Sequence, residues 1–547
     1  MYIVYWGMIR FILPILAVLI LGLNVKTILH KLKRKTLARF AVESYNDIVE
    51  IKSAECIIGR SVFCDVRLKN PSAAKQHAIL TLTEYGFKLT PTSIENKVYV
   101  NGYLVEQEAF LQSGDKIRIG STILQIAINP AISVKAKAKA DATSKKCRVW
   151  SSLFLTLFQL LCCIGFVLKD LSNASFVLAV FGGLIAVEWM YFIIRSFKSN
   201  IEIELSALFL TTVGFSVAAS SGIDLLLKQG FFAVAGIVLF ILLGLVISRL
   251  DIIEKLQIPV AVFSILLLLF NIIFGVYVNG SKNWISLGPV TFQPSELVKV
   301  SLVFLSACAL DKLMNIKNLT SFLGFSFFCF VVLAYMRDFG TAAVYFGAVL
   351  IILSLRLCDL KIVLSLAGGA LVAFLGVIKF IPYVSDRFAT YLHAWQFADS
   401  GGYQQTQTMM ATSGGGLFGM GGGNGDLVNV FAADTDLVFG IMSEELGLIV
   451  ALVAVLHFVL LVIYAAICIP RTRSIYYAVT GSAAAGIFLF QTALNMFGSL
   501  DLLPLTGVTM PFVSVGGSSM LSAWMLLSFI KSAGTHTVAL RSKGETV

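Results

Sequence analysis

Apolar runs of about 17–25 residues, each long enough to cross hydrocarbon as a helix, recur along most of this 547-residue chain. One lies near 8–24. Twelve more follow, near 149–168, 173–195, 203–219, 230–248, 258–278, 296–311, 319–336, 339–355, 361–380, 437–467, 475–500 and 508–532. Such runs constrain the fold more than any other feature, because a lipid-facing backbone must satisfy its own hydrogen bonds. Helices do this within one segment. A barrel would need alternating strands, which these solid runs are not. The expectation is a polytopic α-helical membrane protein of about twelve helices plus an N-terminal anchor helix over 1–28.

A net charge of +11 could signal nucleic acid, but its distribution signals topology. Lys31, Lys33, Arg34 and Lys35 follow the first run, and Lys135, Lys137, Lys139, Lys145 and Lys146 precede the second. Later basic residues occupy alternate loops, such as Arg195 with Lys198, Arg249 with Lys255, and Arg471 with Arg473. This positive-inside bias puts the N-terminus outside and the C-terminus inside, and no nucleic-acid partner is expected. Of nine cysteines, none falls in a loop assigned to the outside, and neither a disulfide framework nor metal-ligand spacing is present. The first run has its charge after it and no small-residue cleavage site, so it reads as a retained anchor.

Residues 45–128 differ in kind. Short β-type runs such as Val98-Tyr99-Val100 and Ile117-Arg118-Ile119 are broken by Asn-Gly and Gly-Asp turns, which predicts a small all-β sandwich on the cytoplasmic side. Residues 129–148, rich in Lys, Ala and Ser, read as a flexible basic linker along an anionic inner leaflet, and 149–535 as the membrane domain. Gly59-Arg60, His77, Asn96, Asn101-Gly102 and Gly114-Asp115-Lys116-Ile117 follow one another in the sandwich. The series resembles a forkhead-associated (FHA) domain, a phosphothreonine-binding module. The resemblance implies that Arg60 meets the phosphate, Asn96 holds the peptide backbone and His77 supports the loop. An arginine fork suits a phosphate dianion through charge-assisted bonds. Here Ala74 stands where the family has serine and Lys97 follows Asn96 in place of glycine.

In the membrane half, Asp436 sits where a long outside loop, about 381–436, re-enters the membrane. An ionisable group at that edge is costly unless paired, wet or working, which makes it a functional candidate. Pro294 suits a helix's first turn. Glu296 and Lys299, three apart, share one helix face, either as an ion pair without chemistry or as a lysine held for an anionic lipid headgroup. The glycine-dense 413–421 lacks the Gly-Lys-Ser/Thr of a nucleotide loop and reads as a flexible or tightly turning rim.

Several motifs then recur in a fixed order. They are Trp284-Ile285-x-Leu287-Gly288, Phe292-Gln293-Pro294-Ser295-Glu296-x-x-Lys299, Asp338-Phe339-Gly340-Thr341 and Ser413-Gly414-Gly415-Gly416-Leu417-Phe418-Gly419. Thr435-Asp436-x-x-Phe439, Glu444-Glu445-Leu446-Gly447 and Pro511-Phe512-x-Ser514-x-Gly516-Gly517-Ser518-Ser519 complete the set. This ordered set resembles the SEDS family (shape, elongation, division and sporulation; FtsW/RodA-like) of peptidoglycan glycosyltransferases. It implies polymerisation of lipid II outside the bacterial cytoplasmic membrane, with a class B penicillin-binding protein as transpeptidase partner. On that reading Asp436 is the general base for a sugar hydroxyl, Lys299 and Arg387 contact pyrophosphate or headgroup, and Glu296 orients Lys299. The leaving pyrophosphate calls for Lys, Arg or a divalent cation such as Mg or Mn. Asp338 and Glu444 are structural or electrostatic candidates. A lipid II flippase, or a phospho-regulated membrane scaffold, is the rival reading.

Overall fold

The computed structural model describes residues 2–32, 38–42, 47–51, 55–60, 64, 66–74, 77–83, 86–92, 97–128, 134–195, 201–278, 281–288, 290–308, 316–357, 360–468 and 475–535. The chain divides into two compact units. One takes in residues 28–146 and the other residues 1–27, 147–470 and 474–535.

The first unit is a sandwich of eleven strands: β1 (Ala38–Val42), β2 (Asp47–Ile51), β3 (Glu55–Gly59), β4 (Val66–Arg67), β5 (Ala78–Thr83), β6 (Gly86–Pro91), β7 (Val98–Val100), β8 (Tyr103–Val105), β9 (Ala109–Leu111), β10 (Lys116–Ile119) and β11 (Thr122–Ile128). One sheet runs β2-β1-β11-β10-β7-β8 and the other β4-β3-β5-β6-β9. Strand β1 alternates buried and exposed residues, as does β10, because successive side chains leave opposite faces of a strand. The inward set, including Phe40, Ile58, Leu80, Phe87, Val98 and Ile117, is fully buried. Asn101 and Gly102, at φ 52° and 90°, make the two-residue turn from β7 to β8 that an Asn-Gly pair favours. The expected start at 45 is too late: β1 pairs antiparallel with β11, Ala38 opposite Ile128.

The second unit is helical. It opens with α1 (Tyr2–Ile9) and α2 (Ile12–Leu32, its residues 28–32 counting with the first unit), and continues with α3 (Val134–Lys169, in this unit from 147), α4 (Ala174–Arg195), α5 (Glu202–Ser221), α6 (Ile223–Ile247) and α7 (Leu250–Phe274). A small sheet follows, β12 (Val276–Val278), β13 (Ser281–Leu287) and β14 (Val290–Phe292), then α8 (Pro294–Cys308), α9 (Ile316–Tyr335), α10 (Phe339–Leu357), α11 (Leu360–Phe380) and α12 (Pro382–Thr390). The remainder is α13 (Tyr403–Gly415), α14 (Ala433–Asp436), α15 (Val438–Glu445), α16 (Leu448–Cys468), α17 (Ile475–Ser499) and α18 (Gly517–Thr535). Helix α5 is buried on every side, including Phe209, Val213 and Phe215, as befits an apolar helix enclosed by others. Helix α18 lies along α6, where Trp524 meets Phe240 edge-on with ring centroids 5.9 Å apart.

Among the described residues, eight helices are long and apolar enough to cross a membrane, or nine if the bent pair 364–380 and 384–390 is one span. The protein is multi-pass. Three expectations need correction. The run at 437–467 is two helices, because Gly447 at φ 92° ends α15 in the left-handed region that glycine enters freely. The run at 508–532 becomes helical only at Gly517; the residues before it form turns, as Pro504 and Pro511 foreshadow. Of residues 129–148, expected as a flexible linker, 134–148 belong to α3 and 129–133 lie outside the described residues.

Candidate active site

Asp436 ends a single helical turn, α14, that is launched by Ala432 in the left-handed region at φ 56° and closed by the Asp436 N–H donating to the Ala432 carbonyl at 2.9 Å. Backbone clamps from distant segments hold this turn. The Asn495 amide of α17 donates to the Asp436 carbonyl at 3.1 Å and to the Val508 carbonyl at 2.9 Å. The Ser514 hydroxyl donates to the Thr435 carbonyl at 2.6 Å, and the Val515 N–H to the Asp434 carbonyl at 2.9 Å. Gln229 of α6 braces Ser514 and Gly516 in turn, at 3.0 and 3.2 Å. Thus three segments far apart in the chain fix one carboxylate.

The carboxylate faces a cavity of about 860 Å³ whose wall includes Trp284, Phe388, Tyr391, Asp434 and Thr506. The volume suits a small-molecule or headgroup site. Three cations line the same wall, Lys228, Arg337 and Arg387. Arg387 also donates to the Leu505 carbonyl at 2.6 Å. Protein packs densely around the Asp436 carboxyl, and desolvation pushes its pKa from 3.8 up to about 6. A Thr435 hydrogen bond and the Arg387 charge pull it down, and Asp434 pushes it up. Burial likewise raises Asp434. A carboxyl poised near 6 is still largely ionised at neutral pH, yet basic enough to accept a hydroxyl proton.

Asp338 also reaches the cavity, but its oxygens are taken: Asn283 and Gln293 donate at 3.1 and 3.2 Å, and the Thr341 N–H at 3.1 Å. It caps α10. Glu444 accepts from the Asp426 and Leu427 N–H groups at 3.0 and 3.1 Å, a loop-fixing role. The substrate contacts expected of Glu296 and Lys299 require correction. Lys299 is 1% exposed, donates to Glu296 at 2.7 Å and Gln491 at 3.1 Å, and lies outside the cavity lining. Ser522 donates to the same Glu296 oxygen at 2.6 Å. The pair is a neutralised bridge between α8, α17 and α18. Lys228 and Arg337, not Lys299, line the cavity beside Arg387.

Sequence reasoning missed Asn495, Ser514 and Gln229 as supports. The signal for Asn495 and Gln229 was polarity, amides within or beside apolar runs; Ser514 stood in the ordered motif at 511–519. Among the described residues no group of three or more His, Cys, Asp or Glu could hold a metal ion unaided; the expected divalent cation would have to share one or two carboxylates with substrate phosphates.

In the sandwich, His77 is buried, accepts from the Ala74 N–H at Nδ1 (3.0 Å) and faces the Lys97 carbonyl through Nε2 (3.3 Å). It braces two loops at one end of the sandwich. Arg60 is exposed beside them, its guanidinium donating to the Pro71 carbonyl at 3.3 Å. Asn96 lies outside the described residues.

A carboxylate on a cavity wall in a bundle of broken apolar helices is the candidate site of a multi-pass membrane protein, and comparison with known proteins gives its kind. Residues 205–538 match the cell cycle protein family of FtsW, RodA and SpoVE, and residues 56–120 match the FHA domain. The first match spans more than half of the chain, which therefore belongs to the FtsW/RodA/SpoVE family and carries an N-terminal FHA domain. A probable peptidoglycan glycosyltransferase FtsW of Nitrosococcus halophilus is 33% identical over 320 residues, covering 55% of this chain and 82% of that one. Stage V sporulation protein E of Bacillus subtilis is 29% identical over 293 residues, covering 52% and 79%. A chain from a peptidoglycan synthase complex, solved for its coordination of polymerization and crosslinking, shares the fold at TM-score 0.52. Its identity is 23%, over 62% of this chain and 98% of that one.

Proposed function

We propose that this protein is a peptidoglycan glycosyltransferase that polymerises lipid II into glycan strands at the outer face of the cytoplasmic membrane, for division, elongation or sporulation. The observation that carries the reading is Asp436 on the wall of a cavity that also presents Lys228, Arg337 and Arg387. A sugar hydroxyl is a poor nucleophile at neutral pH, so a positioned carboxylate helps it react. Asp436 takes the proton of the acceptor 4-hydroxyl as its oxygen bonds to the donor's anomeric carbon. The anomeric carbon–oxygen bond to pyrophosphate breaks, inverting the centre to a β-1,4 link. Undecaprenyl pyrophosphate leaves with the bonding pair, and the wall cations neutralise its charge. No step is routed through a metal.

The outer placement of the cavity and the inner placement of the FHA domain rest on the alternation of basic loops. A class B penicillin-binding protein is the proposed transpeptidase partner, in keeping with the synthase complex whose chain shares this fold. The FHA domain would take a phosphothreonine protein through Arg60, His77 and Asn96. The test is purified protein, with and without such a transpeptidase, incubated with lipid II and assayed for glycan chains. Wild type should make polymer and Asp436→Ala should not, with both folded alike. Lipid II translocation into vesicles without polymer would overturn the reading.

A further inference from the structure

The family match begins at residue 205, so helices α1 to α4 precede it. One of them carries an aromatic side chain into the glycine-dense segment that the mechanism above leaves unused. Trp6 of α1 is 2% exposed, although its neighbours Ile3, Val4 and Met8 are 78%, 64% and 61% exposed. Its seat is made of missing side chains. A Cβ on Gly165 of α3 would fall 2.5 Å from the indole, one on Gly421 2.9 Å and one on Gly422 2.7 Å. Phe166 closes the seat edge-on, with ring centroids 6.0 Å apart. The close fit against three glycines seats the indole by shape.

Polar contacts from the same helices ring the indole. The Tyr2 hydroxyl donates to the Gly422 carbonyl, Tyr5 to the Leu161 carbonyl at 2.8 Å, and the Lys169 ammonium to the Gly423 carbonyl at 2.7 Å. The opposite edge of the glycine segment is bound to α15. The Met420 and Gly421 N–H groups donate to the Glu444 and Glu445 carbonyls at 2.8 and 2.9 Å. Beyond it the chain runs through the Leu427–Asn429 turn into α14 and Asp436. A run of glycines loses more conformational freedom on ordering than any other sequence, and burial of a large rigid aromatic offsets that loss.

We propose that α1 is a built-in clamp and Trp6 a positioning residue, which orders the loop that delivers Asp436 by filling the slot between Gly165 and Gly421–Gly422. Its catalytic consequence rests on the function proposed above; its effect on loop order does not.

The test uses the full-length protein in lipid nanodiscs. Hydrogen exchange is measured over 416–427, and kcat and KM are measured with lipid II. Trp6→Ala should raise exchange in that segment by about tenfold and lower kcat by about tenfold at constant KM, while α16 to α18 stay protected. Trp6→Phe should restore most of both. Gly165→Ala, whose new methyl would have indole atoms of Trp6 as its three nearest neighbours, should mimic Trp6→Ala in the wild-type background and be silent when Trp6 is already Ala. Asp436→Asn should keep wild-type protection while making no polymer. Unchanged exchange in Trp6→Ala, loosening spread over all helices, full kcat with a loosened loop, or additive effects of the two substitutions would each overturn the clamp. If wild type itself makes no polymer, the functional reading fails, and exchange alone decides the clamp.

Discussion

Two carboxylates of the helical unit, Glu296 and Asp436, arise from motifs of similar prominence and meet opposite fates. Glu296 is buried among helices and bonded to Lys299 and Ser522. Asp436 is clamped through its backbone, while its carboxyl faces a cavity beneath the influence of Arg387. In the first, side-chain bonds satisfy the charge and the group becomes architecture. In the second, main-chain bonds fix the position and leave the carboxyl on the cavity wall. A site carboxylate is thus recognised by where its support attaches.

Asp436→Asn should break the comparison most visibly. The polymerisation rate should fall by about 10²–10⁴-fold, the usual worth of a general base. Thermal stability at neutral pH should hold or rise. The native pKa of about 6 lies above the ordinary 3.8, so the native state binds the proton more tightly. Stability therefore falls as pH rises between these values, a cost the amide removes. Lys299→Met should do the reverse, losing about 3–5 kcal/mol of stability by stranding a buried carboxylate. Adding Glu296→Gln should recover most of it, as read by thermal unfolding in detergent. Asn495→Ala should fall between, since two carbonyls lose their donor at about 1–3 kcal/mol. Its signature is a lower kcat together with a lowered melting temperature, the fall smaller than that of Lys299→Met. The smallest effect is a shift in pH profile. Wild-type rate should rise with pH through about 6, and Arg387→Gln should move that midpoint upward because Arg387 favours the charged form. A profile unmoved by Arg387→Gln would detach that arginine from Asp436.

The fold was legible wherever it depended on local pattern. Apolar length located most of the helices, strand alternation and the Asn101-Gly102 turn located the sandwich, and the ordered motifs carried the family. What the sequence hid was accessibility. The three-residue spacing of Glu296 and Lys299 correctly places them on one face of α8, but whether that face meets a cavity or another helix depends on Gln491 and Ser522, roughly two hundred positions away. Asn495 was invisible for the same reason, lying 59 residues from the carbonyl it holds. Gly447 stood in plain view inside an apolar run, yet only its left-handed backbone shows that the run is two helices.

Gly507 stands directly beside the Asp436 carboxyl. Its φ of 67° excludes most side chains, and even a methyl there would fall 3.2 Å from the carboxylate oxygen. An inhibitor wedged against that stretch of main chain would press on a surface that could not easily be remodelled. Escape by substitution at this spot would crowd Asp436, the proposed base, so resistance would have to arise elsewhere.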